Sequence, residues 1–417
     1  MATLRERSPG EPPLVVLGGD TRESTPALCR WLAAGLAAGG AAIRFAGVIP
    51  TPGVAWLTND LAAAAGAVVS ASHNPYPDNG IKLLDPQGFK WSEEAEAALE
   101  ARLATGSGAA AVDRELTAAP ELRENYLRHL ASTVPRTGEP PLAGLKIVLD
   151  TGNGAAASSA GELFTRLGAA VTLLHAAPDG RNVNAGCGST APEEMAARVV
   201  AEKADLGAAF DGDADRCILA DNRGEIRDGD AILYLWATAL KARGDLAPSR
   251  IVATTMSNLG LERALAREGI GIERCDVGDR YVVEAMRRTG IVLGGEQSGH
   301  IVESRLTSTG DGLLTAVQMA WLVRQAGQPL SRLLSGFRRY PQVLLNVRVA
   351  RKPDLTTLPR VAAAAQSVEE RLGEDGRLVL RYSGTEPLAR VMIEGPDQPT
   401  IEALASELAG VIAAELS

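Results

Sequence analysis

The chain has 417 residues, 46% of them hydrophobic and 22% charged, enough to bury sizeable cores and, at about 150 residues per domain, to form roughly three domains. A formal net charge of -9 leaves no excess of Lys and Arg to neutralise a phosphate backbone, which argues against nucleic acid or an anionic membrane as partner. A small phosphorylated ligand needs only a local cluster of donors and stays open. Aromatic residues make up 4%, so many small helices packed closely on sheets are expected rather than an aromatic binding surface.

In chain order, residues 1–13 are polar and proline-bearing, with no apolar run of the leader type, and no stretch of about eighteen apolar residues follows anywhere. A cytoplasmic protein is therefore expected. The apolar run 14–17 ends in Gly18-Gly19-Asp20-Thr21 and precedes a helical stretch over 26–36, which reads as strand, polar turn, helix. Similar units begin at 66–70, 145–150 and 251–255. Repeated βα units imply mostly parallel sheets with their polar turns gathered at the carboxyl ends of the strands. Joints are read at 105–111, 133–141 and 243–248, and a last change comes near Arg339-Tyr340-Pro341. Beyond it a strand over 343–349, a helix over 358–372, strands over 378–382 and 389–394 and a terminal helix predict a compact α+β domain. Cys29, Cys187, Cys217 and Cys275 stand singly, with no CxxC spacing and no nearby His in sequence to complete a zinc site, and are read as reduced core thiols.

Four segments carry chemistry. Ser70-Ala71-Ser72-His73-Asn74-Pro75 follows the apolar 67–69 and continues to Asn79-Gly80-Ile81-Lys82; by itself it also reads as an ordinary Ser/Asn/Pro turn. Phe210-Asp211-Gly212-Asp213-Ala214-Asp215-Arg216 sets three carboxylates at alternate positions, which converge on one hard cation only if the chain curls. An EF-hand fails here, because Arg216 and Asn222 stand where glycine and glutamate are required. A solvated acidic turn is the plainer alternative, although three like charges so close are costly without a cation. Gly294-Gly295-Glu296-Gln297-Ser298-Gly299-His300 suits sugar hydroxyls and equally a glycine turn. Arg381-Tyr382-Ser383-Gly384-Thr385-Glu386-Pro387 reads as a phosphate-binding loop. No Walker A or GxGxxG sequence occurs, so no nucleotide cofactor is indicated.

In this order, Ser-His-Asn-Pro, Asp-Gly-Asp-x-Asp-Arg, Gly-Glu-x-Ser-Gly-His and Arg-x-Ser-Gly-Thr-Glu-Pro resemble the signature set of the α-D-phosphohexomutase family over nearly the whole chain from Leu14. Val277-Gly278-Asp279-Arg280-Tyr281, Asn182-Val183-Asn184 and Thr307-Ser308-Thr309-Gly310-Asp311-Gly312 are similar to the bacterial phosphoglucosamine mutase branch. The resemblance implies an α/β fold of four domains around a central cleft, three α/β domains with mixed sheets and a smaller C-terminal α+β domain. These are expected at 1–135 (phosphoserine loop, N-terminally shortened), 136–242 (metal loop), 243–340 (sugar loop) and 341–417 (phosphate loop). The shortening is expected because a Phe-Gly-Thr-Asp-Gly-Ile-Arg-Gly opening, usual in the family, has no counterpart ahead of Asp20-Thr21-Arg22.

The resemblance further implies that Ser72 carries a phosphoryl group and, with Asp211, Asp213 and Asp215, holds Mg²⁺. His73 and Lys82 are the implied proton-transfer groups, and Arg22 and Arg216 are expected at the phosphoryl oxygens. Glu296 and Ser298, with His300 and Arg280, are expected at the sugar. Arg381, Ser383, Gly384, Thr385 and Arg390 are expected at the phosphate that does not react. The implied activity interconverts glucosamine 6-phosphate and glucosamine 1-phosphate through a bound sugar 1,6-bisphosphate, which also serves as activator. The alternatives are a phosphomannomutase/phosphoglucomutase or a weak sugar-phosphate-binding relative, and a homodimer is left open.

Overall fold

A computed structural model describes residues 12–105, 115–136, 138–383 and 386–416. The joint read at 105–111 lies almost wholly outside the described residues. The chain divides into two compact units: one comprises residues up to Thr254 together with Ile272–Ser335, the other Thr255–Gly271 together with the chain from Gly336 onward.

The first unit holds three sheets. Strands β1 (Leu14–Gly19), β2 (Ala42–Val48), β3 (Ala65–Val69) and β4 (Ile81–Leu84) lie in the order β2-β1-β3-β4, with β1 parallel to both neighbours and β4 antiparallel to β3. Strands β5 (Lys146–Asp150), β6 (Ala170–Leu174), β7 (Leu206–Phe210), β8 (Cys217–Asp221) and β9 (Ile226–Arg227) lie in the order β6-β5-β7-β8-β9, parallel through β7 and antiparallel after it. Strands β10 (Arg250–Thr254), β11 (Gly271–Cys275), β12 (Leu293–Gly295) and β13 (Ile301–Glu303) follow in the order β11-β10-β12-β13. Each sheet is mixed, as the resemblance implied.

Helix boundaries follow local signals. Helix Thr25–Ala38 has proline in its first turn and Gly39 as its C-cap. Helix Gly312–Ala326 opens on Asp311, whose carboxylate accepts from Leu314 N at 2.9 Å, and closes on Gly327 at φ 58°. The small-residue composition shows in the packing. Helix Glu193–Glu202 lies so near β7 that a Cβ on Gly207 would stand 2.1 Å from Met195 Sδ. Met195, Val199, Val148 and Ala209 form a dry cluster there, each large apolar side chain contributing about 1.5–3 kcal/mol by its burial.

The second unit has strands β14 (Gln342–Arg348), β15 (Arg377–Tyr382) and β16 (Leu388–Glu394) in the antiparallel order β14-β16-β15, with helices Pro359–Leu372 and Gln398–Leu416 packed on them. All four cysteines carry free thiols, buried except for the half-buried Cys275. No helix among the described residues is long and apolar enough to cross a membrane.

Candidate active site

The parallel strands deliver their polar turns at one kind of place. Asp20 follows β1, Ser70 follows β3 and Asp211 follows β7, so three loops rich in hydroxyls and carboxylates stand at strand carboxyl ends.

Ser72 sits at φ 51°, a left-handed backbone that a non-glycine residue adopts only when its surroundings hold it. Those surroundings are specific. Ser72 N donates to Ser70 Oγ at 2.9 Å, and Ser70 Oγ donates to Asp20 Oδ2 at 2.7 Å. The Arg22 guanidinium, fully buried, binds the same Asp20 oxygen at 2.9 Å and donates to the carbonyls of Ser72 at 3.0 Å and Asn74 at 2.8 Å, and also to Pro75 O. This makes Arg22 a strut beneath the loop, a different task from the phosphoryl contact expected of it. Asn184 Nδ2 adds a further bond to Ser72 O at 2.9 Å. With backbone held from both sides, Ser72 Oγ donates to Asp211 Oδ2 at 2.7 Å.

Asp211, Asp213 and Asp215 are buried and offer carboxylate oxygens that all lie within 4.8 Å of one another. The curl this requires comes from Ala214 at φ 54° and a turn in which Ala214 N donates to Asp211 O at 3.0 Å. Gly212 permits the loops to touch, because a Cβ there would lie 2.6 Å from the Ser72 carbonyl oxygen. Burial, reinforced by the charges of Asp215 and Asp213, pushes the Asp211 carboxyl well above the usual carboxylate range. Burial would likewise raise Asp215, but Lys82 and His300 outweigh it and hold that carboxyl down.

Lys82, on β4, donates to Asp213 Oδ2 at 2.5 Å and Asp215 Oδ2 at 3.2 Å. Burial alone would lower its pKa, yet the two carboxylates keep the ammonium above the ordinary lysine value. Thr51, the first residue of helix Thr51–Asp60, anchors the triad by donating its hydroxyl to Asp213 Oδ2. Asp213 Oδ1 and Asp215 Oδ1 are buried with no hydrogen-bond partner. An all-oxygen set with two orphaned buried oxygens fits a hard divalent cation. Arg216 lies alongside, its Nε 3.9 Å from Asp215 Oδ1 and itself without a hydrogen-bond partner. His73 is exposed, and partial desolvation followed by the Arg216 charge lowers its imidazole below the usual pKa.

In the same unit, Glu296 is buried and accepts from Gly278 N at 3.1 Å, while Ser298 is exposed. His300 is buried, and its Nε2 accepts from Gly310 N at 3.1 Å, which places it as a support of the loop. Arg280 is ion-paired with Glu96 at 2.7 Å and Glu93 at 3.3 Å. A cavity of about 360 Å³ is lined by Lys82, Lys90, Glu93, Glu96, Asp279 and Arg280 among others. Lys90 pairs with Asp279; burial would raise that carboxyl, but His300 and Lys90 bring it down to about 2.

In the second unit, Arg381 stands directly opposite Arg390 in the β15–β16 register. Like charges so placed repel, and burial together with Arg390 lowers the Arg381 pKa. Among the described residues the Arg381 side chain has no ion-pair partner, and Arg390 Nε is buried without a hydrogen-bond partner. Ser383 Oγ is buried and accepts from Glu386 N at 3.3 Å. Gly384 and Thr385 lie outside the described residues.

Sequence reading missed Asp20, Ser70, Thr51, Asn184 and Lys352, whose Nζ donates to Ser383 O at 2.6 Å. For two of these a signal existed, since Asp20-x-Arg22 and Ser70-x-Ser72 set both members of each pair on the same turn. Thr51 carries none, its partner being 162 residues away.

Mixed α/β domains with a serine hydroxyl bonded into a buried all-oxygen triad define an enzyme of the phosphohexomutase class. Residues 1–109, 124–224, 228–340 and 344–411 match, in turn, the α/β/α domains I, II and III and the C-terminal domain of phosphoglucomutase/phosphomannomutase. The chain belongs to that family. A phosphoglucosamine mutase of Symbiobacterium thermophilum is 48% identical over 425 residues, covering 100% of this chain and 93% of its own length. One from Brevibacillus brevis is 46% identical over 417 residues, covering 99% and 92%. Among solved structures, a phosphoglucomutase/phosphomannomutase family protein of Burkholderia thailandensis has a TM-score of 0.80 at 24% identity, covering 99% of this chain and 92% of its own. The Aspergillus fumigatus N-acetylphosphoglucosamine mutase in complex with GlcNAc-6P and magnesium has 0.64 at 19%, covering 88% and 94%. These two likenesses bear on the fold alone.

Proposed function

We propose that this phosphohexomutase interconverts glucosamine 6-phosphate and glucosamine 1-phosphate in the cytoplasm, with Ser72 carrying the phosphoryl group between half-reactions. The observation that carries the reading is the 2.7 Å hydrogen bond from Ser72 Oγ into the buried triad, made by a residue held in left-handed backbone. The 48% identity over the full chain to a phosphoglucosamine mutase supports the choice of sugar.

Asp211, Asp213 and Asp215, with an oxygen of the phosphorylated Ser72, would hold Mg²⁺. When bound, such an ion neutralises charge on the transferred phosphoryl group. The chain's own residues do the rest. Arg22, Asn184 and Ser70 fix the backbone around Ser72, so the hydroxyl is already positioned when it takes a phosphoryl group. His73, exposed and biased toward the neutral imidazole, takes the proton from the attacking sugar hydroxyl, a contribution of about 10²–10⁴ in rate. Lys82, held as an ammonium by Asp213 and Asp215, offers a proton and charge to the phosphoryl oxygens, and Arg216, whose Nε has no hydrogen-bond partner, adds a guanidinium. Glu296 and Ser298 hold sugar hydroxyls. Arg381, Arg390, Ser383, Gly384 and Thr385 take the phosphate that does not react. The 1,6-bisphosphate formed in the first half-reaction then returns its other phosphate to Ser72.

The test is turnover of glucosamine, mannose and glucose phosphates side by side, with Mg²⁺ and a trace of 1,6-bisphosphate, together with mass determination of phosphate on Ser72. Preference for glucosamine phosphate, loss of both signals in Ser72→Ala, and loss of turnover with a chelator are expected. Normal turnover by Ser72→Ala would refute the phosphoserine route, and a preference for mannose or glucose phosphate would refute the choice of sugar.

A further inference from the structure

Away from the serine and its triad, the carboxyl ends of neighbouring strands bring together three side chains that the sequence leaves apart. Asp150 ends β5, His175 follows β6 and Cys187 lies in the loop before residues 188–190. One potential ligand atom of each lies within 4.8 Å of the other two. We propose that Asp150, His175 and Cys187 form a second cation site, suited to a borderline ion such as Zn²⁺ rather than to Mg²⁺.

The geometry around His175 is the main support. Its Nδ1 is buried 3.0 Å from Asp150 Oδ1, yet the two make no hydrogen bond. Two ligands of one tetrahedral ion, with bonds of about 2.0–2.3 Å, stand in that relation, roughly 3–4 Å apart. The other ring nitrogen, Nε2, lies 3.3 Å from Glu194 Oε2, the carboxylate arrangement that orients a metal-binding imidazole and leaves Nδ1 for the ion. Asp150 is itself oriented, its two oxygens accepting from Gly152 N at 2.9 Å and Gly188 N at 3.0 Å. Asn153 Nδ2 points a donor at Cys187 Sγ from 3.8 Å, a contact that favours a thiolate.

A sulfur, nitrogen and oxygen set matches zinc, whereas the all-oxygen triad does not, so chemistry keeps the two sites apart. Asp150 and Cys187 are buried, and the 24% exposed His175 side chain opens the site to solvent. Zn²⁺ binds cysteine as the thiolate, so loading the site would release the Cys187 thiol proton. The same loop bears Asn184, so an ion there would brace the segment that holds the Ser72 carbonyl.

Cobalt(II) is the probe. Full-length protein stripped with chelator should bind cobalt with a thiolate-to-cobalt charge-transfer band and the strong visible bands of a four-coordinate ion, displaced by Zn²⁺ and not by Mg²⁺. Cys187→Ser should lose the charge-transfer band, Glu194→Gln should weaken binding about 10- to 100-fold and His175→Ala by about 100-fold or more. Asp211→Asn should leave the charge-transfer band intact. Circular dichroism checks each fold, and if Cys187→Ser does not fold, the half-buried His175→Ala decides. No charge-transfer band in the parent protein, or one that survives both Cys187→Ser and His175→Ala, overturns the proposal.

Discussion

At the residue scale, the nucleophile depends on two residues that carry no reactive group. Gly212 lets the carboxylate loop lie against the Ser72 carbonyl, and the atom a new Cβ would meet is backbone, which cannot swing aside. Gly212→Ala is therefore expected to displace the Ser72 loop and lower kcat by about 100-fold while leaving KM near its parent value, since a shift of about 1 Å at a reacting group has that effect. Steady-state kinetics on glucosamine phosphate checks it, and an unchanged kcat would show that the loops need not touch. Arg22 is the other case. Its removal in Arg22→Ala leaves Asp20 buried with its arginine partner gone and takes the guanidinium's bonds away from three loop carbonyls, so stability should fall by about 3–5 kcal/mol in urea denaturation. A drop below about 1 kcal/mol, with lost activity, would instead place Arg22 at the phosphoryl group. The reacting residues were legible because carboxylates at alternate positions and a serine after an apolar strand are local patterns. The roles of Asn184, quoted only as part of a family-like motif, and of Thr51 were not, since each is defined by a partner more than a hundred residues away.

At the scale of elements, Asp311 shows how a helix terminus carries a pH dependence. It caps helix Gly312–Ala326 through Leu314 N and receives the Tyr126 hydroxyl at 2.9 Å. Burial nevertheless dominates, and with the Asp215 charge it raises the carboxyl to about 7 against the two hydrogen bonds. An unfolded aspartate titrates near 3.9, so between these values the folded chain binds the extra proton, and stability from this group falls as pH rises, by up to about 1.4 kcal/mol per unit. The contribution is fully present below about pH 4 and lost through pH 7. Asp311→Asn keeps a good capping side chain and cannot ionise. Its stability relative to the parent should therefore climb from pH 5 to pH 8, and a difference that stays flat would mean the carboxyl is ionised throughout. Sequence reading did not single out this helix, whereas β1, β5, β10 and the three C-terminal strands were readable, because apolar periodicity is short-range. The titration was not, since it arises from burial by parts of the chain distant in sequence, Tyr126 among them at 185 residues away.

At the scale of the molecule, one buried carboxylate explains why Thr255–Gly271 belongs with the C-terminal strands. Glu394, at the end of β16 and 0% exposed, accepts from Arg377 Nη2 at 2.6 Å and Nε at 3.0 Å, from Asn258 Nδ2 at 2.8 Å and from Leu259 N at 3.1 Å. Asn258 in turn caps helix Leu259–Arg267, accepting from Gly260 N at 2.9 Å, and takes a bond from Tyr340 N at 2.8 Å. Nothing local in the sequence announces this join, which links residues 136 positions apart. Glu394→Ala would leave the guanidinium, the amide and the helix N-terminus without that acceptor, a loss of about 3–5 kcal/mol for a buried pair broken on one side. If the two compact units open separately, hydrogen exchange should quicken over 259–267, 342–348 and 388–394, while β5 and β7 keep their protection. Equal loss of protection in β5 and β7 would mean that the molecule opens as one cooperative block, and that Glu394 stabilises the serine site as directly as it stabilises its own sheet.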